Sequence, residues 1–275
     1  FNKNTYSMLK MSSVRILLVF ALALFIKFPF ANTYNSTESC GQKVPGKKAL
    51  AELGQYPWNG FLGKKNVHFH NIMVFCNGAI ITQRHLLITH SCLEQFRSDP
   101  NLIILLGTIH SENETESHIY NVHNITFHPN FNKDTFENDL AIVHSKTLFT
   151  LTDNIAPIQI ISPNYELQKD ENMTVSGRGI FNRDDSNLVY SVVQKTKCPQ
   201  NIPTRMLCTH WNDISQSSLN GAPLTVCQEN ECKLVGISTL SSLFYRKLFY
   251  MDIGKHGEWI NCIAPYINHT STFNR

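Results

Sequence analysis

The stretch Gln216-Ser-Ser-Leu-Asn220-Gly-Ala-Pro-Leu224 puts two hydroxyls and an Asn-Gly pair on one short segment. Asn-Gly between apolar flanks signals a tight turn, because both residues tolerate positive φ. The alternative is a catalytic loop whose reactive side chain has been replaced. A second group with chemical potential is His68 and His70, two apart and able to share one face of a strand. A zinc-type site needs further ligands and no third is visible, so neither a metal nor a cofactor is expected.

The elements that would carry these residues are short and β-rich. Apolar runs recur at Ile72 to Phe75, Ala79 to Ile81, Leu86 to Ile88, Leu102 to Leu106, Asn121 to Phe127 and Leu140 to Val143, separated by polar, Gly, Pro or Asn punctuation. After a linker around Ala156 to Asn172, a second set follows at Thr174 to Ser176, Val189 to Gln194, Ala222 to Val226, Leu234 to Ser238 and Leu248 to Ile253. This spacing predicts antiparallel sheet closing into barrels or sandwiches, in two halves of similar size. One helix is expected, Ile253 to Ala264, with Ile253, Trp259, Ile260 and Ile263 on one face.

At 275 residues, 42% hydrophobic and 16% charged, the chain has the composition of a globular protein able to bury a large core. A formal charge of +3 is too small and too scattered to suggest a nucleic-acid partner or membrane insertion. Met11-Ser-Ser-Val-Arg15 followed by the eleven apolar residues Ile16 to Ile26 reads as a secretory signal, too short to span a bilayer. Cleavage is expected after Ala31, leaving 32–44 as a polar amino-terminal segment; residues 1–10 precede the better start, with Met8 the other candidate. Export to an oxidising compartment accounts for eight cysteines, and makes the sequons at Asn35, Asn113, Asn124, Asn172 and Asn268 plausible glycan sites.

Cys76-Asn-Gly-Ala-Ile-Ile, then Leu86-Leu-Ile-Thr-His-Ser-Cys92, resembles the start of a trypsin/chymotrypsin-like serine protease. Further matches follow in order: Gly54-Gln-Tyr-Pro-Trp58, His128-Pro129, Asn138-Asp-Leu-Ala-Ile142, Val175-Ser-Gly-Arg-Gly179, Arg205-Met-Leu-Cys208, Gly221-Ala-Pro-Leu224, Leu234-Val-Gly-Ile237 and Trp259-Ile260. The resemblance covers about Gly46 to Ile263. It implies an all-β fold of two antiparallel six-stranded barrels over 45–265, the first about 45–156 and the second about 171–252, with a C-terminal helix at 253–264. A cleft between the barrels would hold the site.

Carried over residue by residue, the resemblance puts Ser91 where the family has its catalytic histidine, Asn220 where it has its serine, and leaves Asp139 as the one triad member kept. A serine hydroxyl is no base and a carboxamide is no nucleophile near neutral pH, so hydrolysis by the usual route is not expected. Asp139 is expected to accept a hydrogen bond from Ser91 instead. The oxyanion glycine falls at Ser218 and the acid that holds the cleaved amino terminus at Leu219. The substrate pocket falls at Ile214, Leu240, Ser241 and Leu248, the last filling the slot. Lys43-Val-Pro-Gly46 replaces the activation site, with Pro45 near the new terminus. His90 reads as a packed or surface histidine rather than a displaced base.

The resemblance also implies bridges Cys76–Cys92 and Cys198–Cys208. Cys227 with Cys232 could close a hairpin, and Cys40 would then pair with Cys262; the family's pocket bridge is missing, with Gln216 at one of its positions, and Gln159 falls near the tether's usual partner. The functional expectation is a secreted, non-catalytic homologue that binds extracellular proteins, such as proteases or their zymogens, as a regulator, cofactor or decoy in a protease cascade or as a venom or saliva component. The alternatives are an active endopeptidase using His90, Asp139 and Ser217, and a glycan- or microbial-surface-binding protein.

Overall fold

The computed structural model describes residues 49–66, 71–97, 99–110, 118–168, 170–179, 187–210, 219–228, 231–242 and 247–265. Among these, β2 (Asn59–Asn66), β3 (Asn71–Thr82), β4 (His85–Ile88), β5 (Leu102–Leu106), β6 (Ile119–Phe127) and β7 (Ala141–Ser145) close a barrel in the order β2-β3-β4-β7-β6-β5. β9 (Asn172–Arg178), β10 (Leu188–Thr196), β11 (Met206–His210), β12 (Pro223–Gln228), β13 (Glu231–Ser242) and β14 (Lys247–Asp252) form the second, closed by the β9–β10 pairing. The chain therefore has the all-β, two-barrel architecture expected from its sequence, and all ladders within the barrels are antiparallel.

Continuous apolar runs mark strands buried on both faces. Leu86 and Ile88 point into the first barrel while Leu87 faces the seam between barrels, and all three are fully buried. The seam is itself a core. Phe61, Ala79, Ile81, Leu87 and Ile142 from the first barrel meet Tyr190, Leu234, Ile237, Phe249 and Met251 from the second.

The structure differs from the sequence reading at several points. Ile72 to Phe75 and Ala79 to Ile81 are one strand, β3, because Asn77 and Gly78 stay extended within it. β2 lacks an apolar run, since Gly60 must be small: a Cβ there would lie 2.8 Å from a Leu106 methyl. The expected linker contains β8 (Gln159–Ile160), which pairs in parallel with β13. β1 (Ala49–Leu50), assigned from sequence to the first barrel, instead pairs with β10 of the second. The C-terminal helix α2 spans only Gly257–Ile263, after a 3-10 turn at Gly254–His256, consistent with the poor helix propensity of two glycines. The short helix α1 is His90–Leu93.

The three bridges Cys76–Cys92, Cys198–Cys208 and Cys227–Cys232 are formed. Cys262 is exposed on α2 and takes part in none of these; Cys40 lies outside the described residues. Non-reducing peptide mapping is expected to recover a Cys40–Cys262 peptide, and Cys262 found as an alkylatable thiol would reject that pairing.

Buried imidazoles make the fold sensitive to acid. Burial, then the neighbouring His144 and Arg84, holds His85 down to about 4. Burial, then His256, Arg205 and His90, does the same to His128, also to about 4. Both stay neutral in the folded chain while the unfolded chain takes up protons near 6.5, so their contribution is complete above 6.5 and is lost as pH falls toward 4. The thermal midpoint, followed by circular dichroism, should be lower at pH 4.5 than at pH 7, and the slope should shrink in a His85→Asn, His128→Asn double variant.

Candidate functional site

Asp139 is fully buried, at the end of a loop whose residues Phe136 and Asn138 take positive φ of 56° and 58°. Asn138 fixes this turn by donating from its Nδ2 to the Asn130 carbonyl at 2.9 Å. Its Oδ1 meets His256 Nε2 at 3.2 Å, and the His128 ring packs on Trp259 of α2 at 4.7 Å. The C-terminal helix thus braces the turn that delivers Asp139.

The carboxylate gathers donors from both barrels. Ser91 N–H donates to Oδ1 and Ser91 Oγ donates to Oδ2, each at 2.7 Å. The Thr239 hydroxyl on β13 also donates to Oδ2. Burial pushes the Asp139 carboxyl up, against the pull of Thr239, of both Ser91 donors and of the His90 backbone N–H. The expected Ser91–Asp139 hydrogen bond is present, joined by a threonine that the sequence reading had not singled out.

Thr89, just before α1, has extended backbone and turns its hydroxyl the other way, donating to Asn220 Oδ1 at 2.9 Å. The Asn220 carbonyl receives Asn77 N–H at 3.0 Å and Asn77 Nδ2 at 3.3 Å. Asn77 Nδ2 also donates to the Arg178 carbonyl, and Asn77 Oδ1 accepts from Arg178 N–H at 2.7 Å. Arg178 is almost fully buried, with Nη2 on Thr108 Oγ1 at 2.9 Å and its guanidinium over the Phe61 ring. Asn77 and Arg178 lay inside recognised motifs, but nothing in a linear sequence shows that their side chains meet.

Leu219 to Ala222 is a turn closed by Ala222 N–H on the Leu219 carbonyl at 2.9 Å. Of the Asn-Gly pair only Gly221 takes positive φ, 84°, so this is the type II pattern and not the mirror-image hairpin turn in which both residues are positive. Any larger residue at Gly221 would run its Cβ into the Asn77 carbonyl. Leu219 and Leu248 are buried in one apolar cluster with Ala222, Val193 and Tyr250, so both positions, where the resemblance puts an acid and a pocket wall, sit in packed hydrocarbon.

His90 is packed, its ring on Phe131 at 4.0 Å and on Phe127 at 4.5 Å, with the Arg97 guanidinium over the Phe127 ring at 4.2 Å. Burial, then Arg97, lowers its pKa, opposed by Glu94. Among the described residues its Nδ1 has no hydrogen-bond partner, and no hydrogen bond joins Ser91 to Asn220. Ile214, Gln216, Ser217, Ser218, His68 and His70 lie outside the described residues; Leu240 and Ser241 are placed in β13, but their side chains are not described. Among the described residues no group of three or more His, Cys, Asp or Glu could hold a metal.

The Trypsin family profile matches residues 46–247. The chain belongs to the trypsin family. A protein named collagenase from Hypoderma lineatum is 31% identical over 199 residues, covering 69% of this chain and 72% of that one. A venom serine protease from Polistes dominula is 27% identical over 111 residues, 38% of this chain and 39% of the relative. Membership of the trypsin family explains the barrel pair.

The donors around Asp139 give a direct test. Asp139→Ala strands the Ser91 and Thr239 donors in a buried site and should cost on the order of 3 kcal/mol in denaturant unfolding. Asp139→Asn keeps one oxygen acceptor and should cost less. An Asp139→Asn variant as stable as the parent would show that the carboxylate itself is not required by these donors.

Proposed function

We propose that this trypsin-family chain is a secreted glycoprotein that acts by binding and not by peptide hydrolysis, as a regulator, cofactor or decoy in an extracellular protease cascade or as a venom or saliva component. One observation carries this reading: the buried Asp139 carboxylate is occupied by the hydroxyl and N–H of Ser91, where hydrolysis needs a carboxylate orienting an imidazole base. The carboxamide at Asn220 supports it, since an amide held by Thr89 offers no deprotonatable oxygen. Loss of one member of such a set lowers turnover by around a millionfold, and loss of two removes the route.

Leu219 and Leu248 add to this reading. An aliphatic side chain at Leu219 has no charge to hold a new amino terminus, and Leu248 packed at 2% exposure leaves its slot filled. Secretion is supported by three disulfides and by the likeness to a venom protein; among the described residues no helix is long and apolar enough to cross a membrane. The partners would be extracellular proteins, with proteases and their zymogens the first class to examine.

A second reading is favoured by the relatives' names: a collagenase at 31% identity and a venom serine protease suggest an active endopeptidase. That activity would need a base and nucleophile other than Ser91 and Asn220. The purified secreted protein, incubated with a fluorophosphonate probe and a broad peptide library, is expected to show neither labelling nor cleavage. Labelling of any serine, Ser217 included, would establish the enzyme reading instead. Crosslinking capture from the fluid into which the chain is secreted is expected to return proteases, zymogens or their substrates.

A further inference from the structure

We infer that Asn124 and Asn172 carry N-linked glycans, one on each barrel, and that both glycans leave the rim around Asp139 uncovered. This deepens the secretion reading and depends on it. Asn124-Ile-Thr126 lies on β6 and Asn172-Met-Thr174 opens β9. Both asparagines are exposed.

What distinguishes them is the free amide nitrogen. Asn77 and Asn138 spend their Nδ2 on carbonyls inside the fold. Asn172 takes part only as an acceptor, its Oδ1 receiving Gln194 Nε2 at 3.0 Å. That bond survives glycosylation, because the sugar attaches to nitrogen and the carbonyl oxygen keeps its lone pairs. Among the described residues, no hydrogen bond engages the Asn124 carboxamide, although its neighbours are committed. Asn124 lies opposite His144, and His144 opposite His85, in a row across β6, β7 and β4. The imidazoles of that row are held by Thr126 Oγ1 on His144 Nε2 at 2.9 Å and by Thr82 Oγ1 on His85 Nδ1 at 2.6 Å. The row therefore satisfies itself without the carboxamide of the exposed Asn124.

Position fixes what the sugars would cover. Arg178, tied to Asn77 at the site, lies six positions along β9 from Asn172, so at strand rise the sugar-bearing asparagine stands roughly 20 Å from it. Asn124 projects from the outer side of the first barrel, beside exposed His123, whereas Phe127, three residues on, is the one that reaches His90. The transfer is an ordinary group exchange. The Asn Nδ2 forms a bond to C1 of the first sugar of a lipid-pyrophosphate-linked oligosaccharide, the C1–O bond to pyrophosphate breaks, and the lipid pyrophosphate leaves as the nitrogen gives up one proton. It occurs as the chain enters the secretory compartment, before β6 and β9 close.

The test is glycopeptide mapping of the full chain recovered from the medium of a eukaryotic secretory host, with and without peptide-N-glycosidase in heavy-oxygen water. Asn124 and Asn172 peptides should both appear glycosylated and should convert to labelled aspartate on enzyme treatment. Asn124→Gln and Asn172→Gln should each lose one glycan's mass while probe reactivity and partner capture stay as in the parent protein. Secreted protein with a bare Asn124 or a bare Asn172 overturns the assignment and leaves the secretion reading standing. Protein that never reaches the medium, and carries no glycan inside the cell, overturns both. Loss of partner capture in either glutamine variant would overturn the claim that these glycans stand clear of the binding surface.

Discussion

A buried carboxylate must be surrounded by donors or it will not stay buried, and Asp139 imposes that demand at the junction of the two barrels. The donors that meet it come from α1 of the first barrel and from β13 of the second, so one buried acid ties both halves together. The positive-φ turn before it, the bond from Asn138 to His256, and the packing of Trp259 on His128 all serve to bring that group to its place. In a trypsin-family scaffold the same carboxylate would orient a base; here it accepts hydrogen bonds from Ser91 and Thr239.

The Asn77–Asn220–Gly221 contact has a parallel role on the other side of the seam. Asn77 of β3 holds the turn carbonyl with two donors and grips Arg178 at both its N–H and its carbonyl. This leaves space only for glycine at position 221. The shape of the 219–222 turn is thus enforced by packing against the first barrel, whatever chemistry its neighbours perform.

Much of this was legible in the sequence. The motifs at Cys76, Cys92, Asp139 and Gly221 carry strong local patterns, because disulfides, buried acids and positive φ each demand particular residue types. The two buried faces of β4 announce themselves as the unbroken run Leu86-Leu-Ile88. β2 did not show, because its residues Asn59-Gly-Phe-Leu-Gly-Lys are chosen for close approach to Leu106 and Leu86 and not for hydrophobic pattern. β8 is held by its parallel pairing with β13, a long-range cause that leaves no local trace. The same applies to the site: Ser91 and Asn220 could be placed by motif, whereas Thr89 and Thr239 are ordinary residues until the fold sets their hydroxyls against partners far away in the chain.

The three described disulfides close loops of 16, 10 and 5 residues, each inside or beside a single barrel. None of them crosses the seam, so these bonds stiffen each half separately and the halves cohere through apolar packing and hydrogen bonds. Reduction would therefore leave the halves joined by the same packing and by the backbone that passes between them from β1 to β2 and from β7 to β9. Only the loops at Cys92, Cys208 and Cys232 would soften.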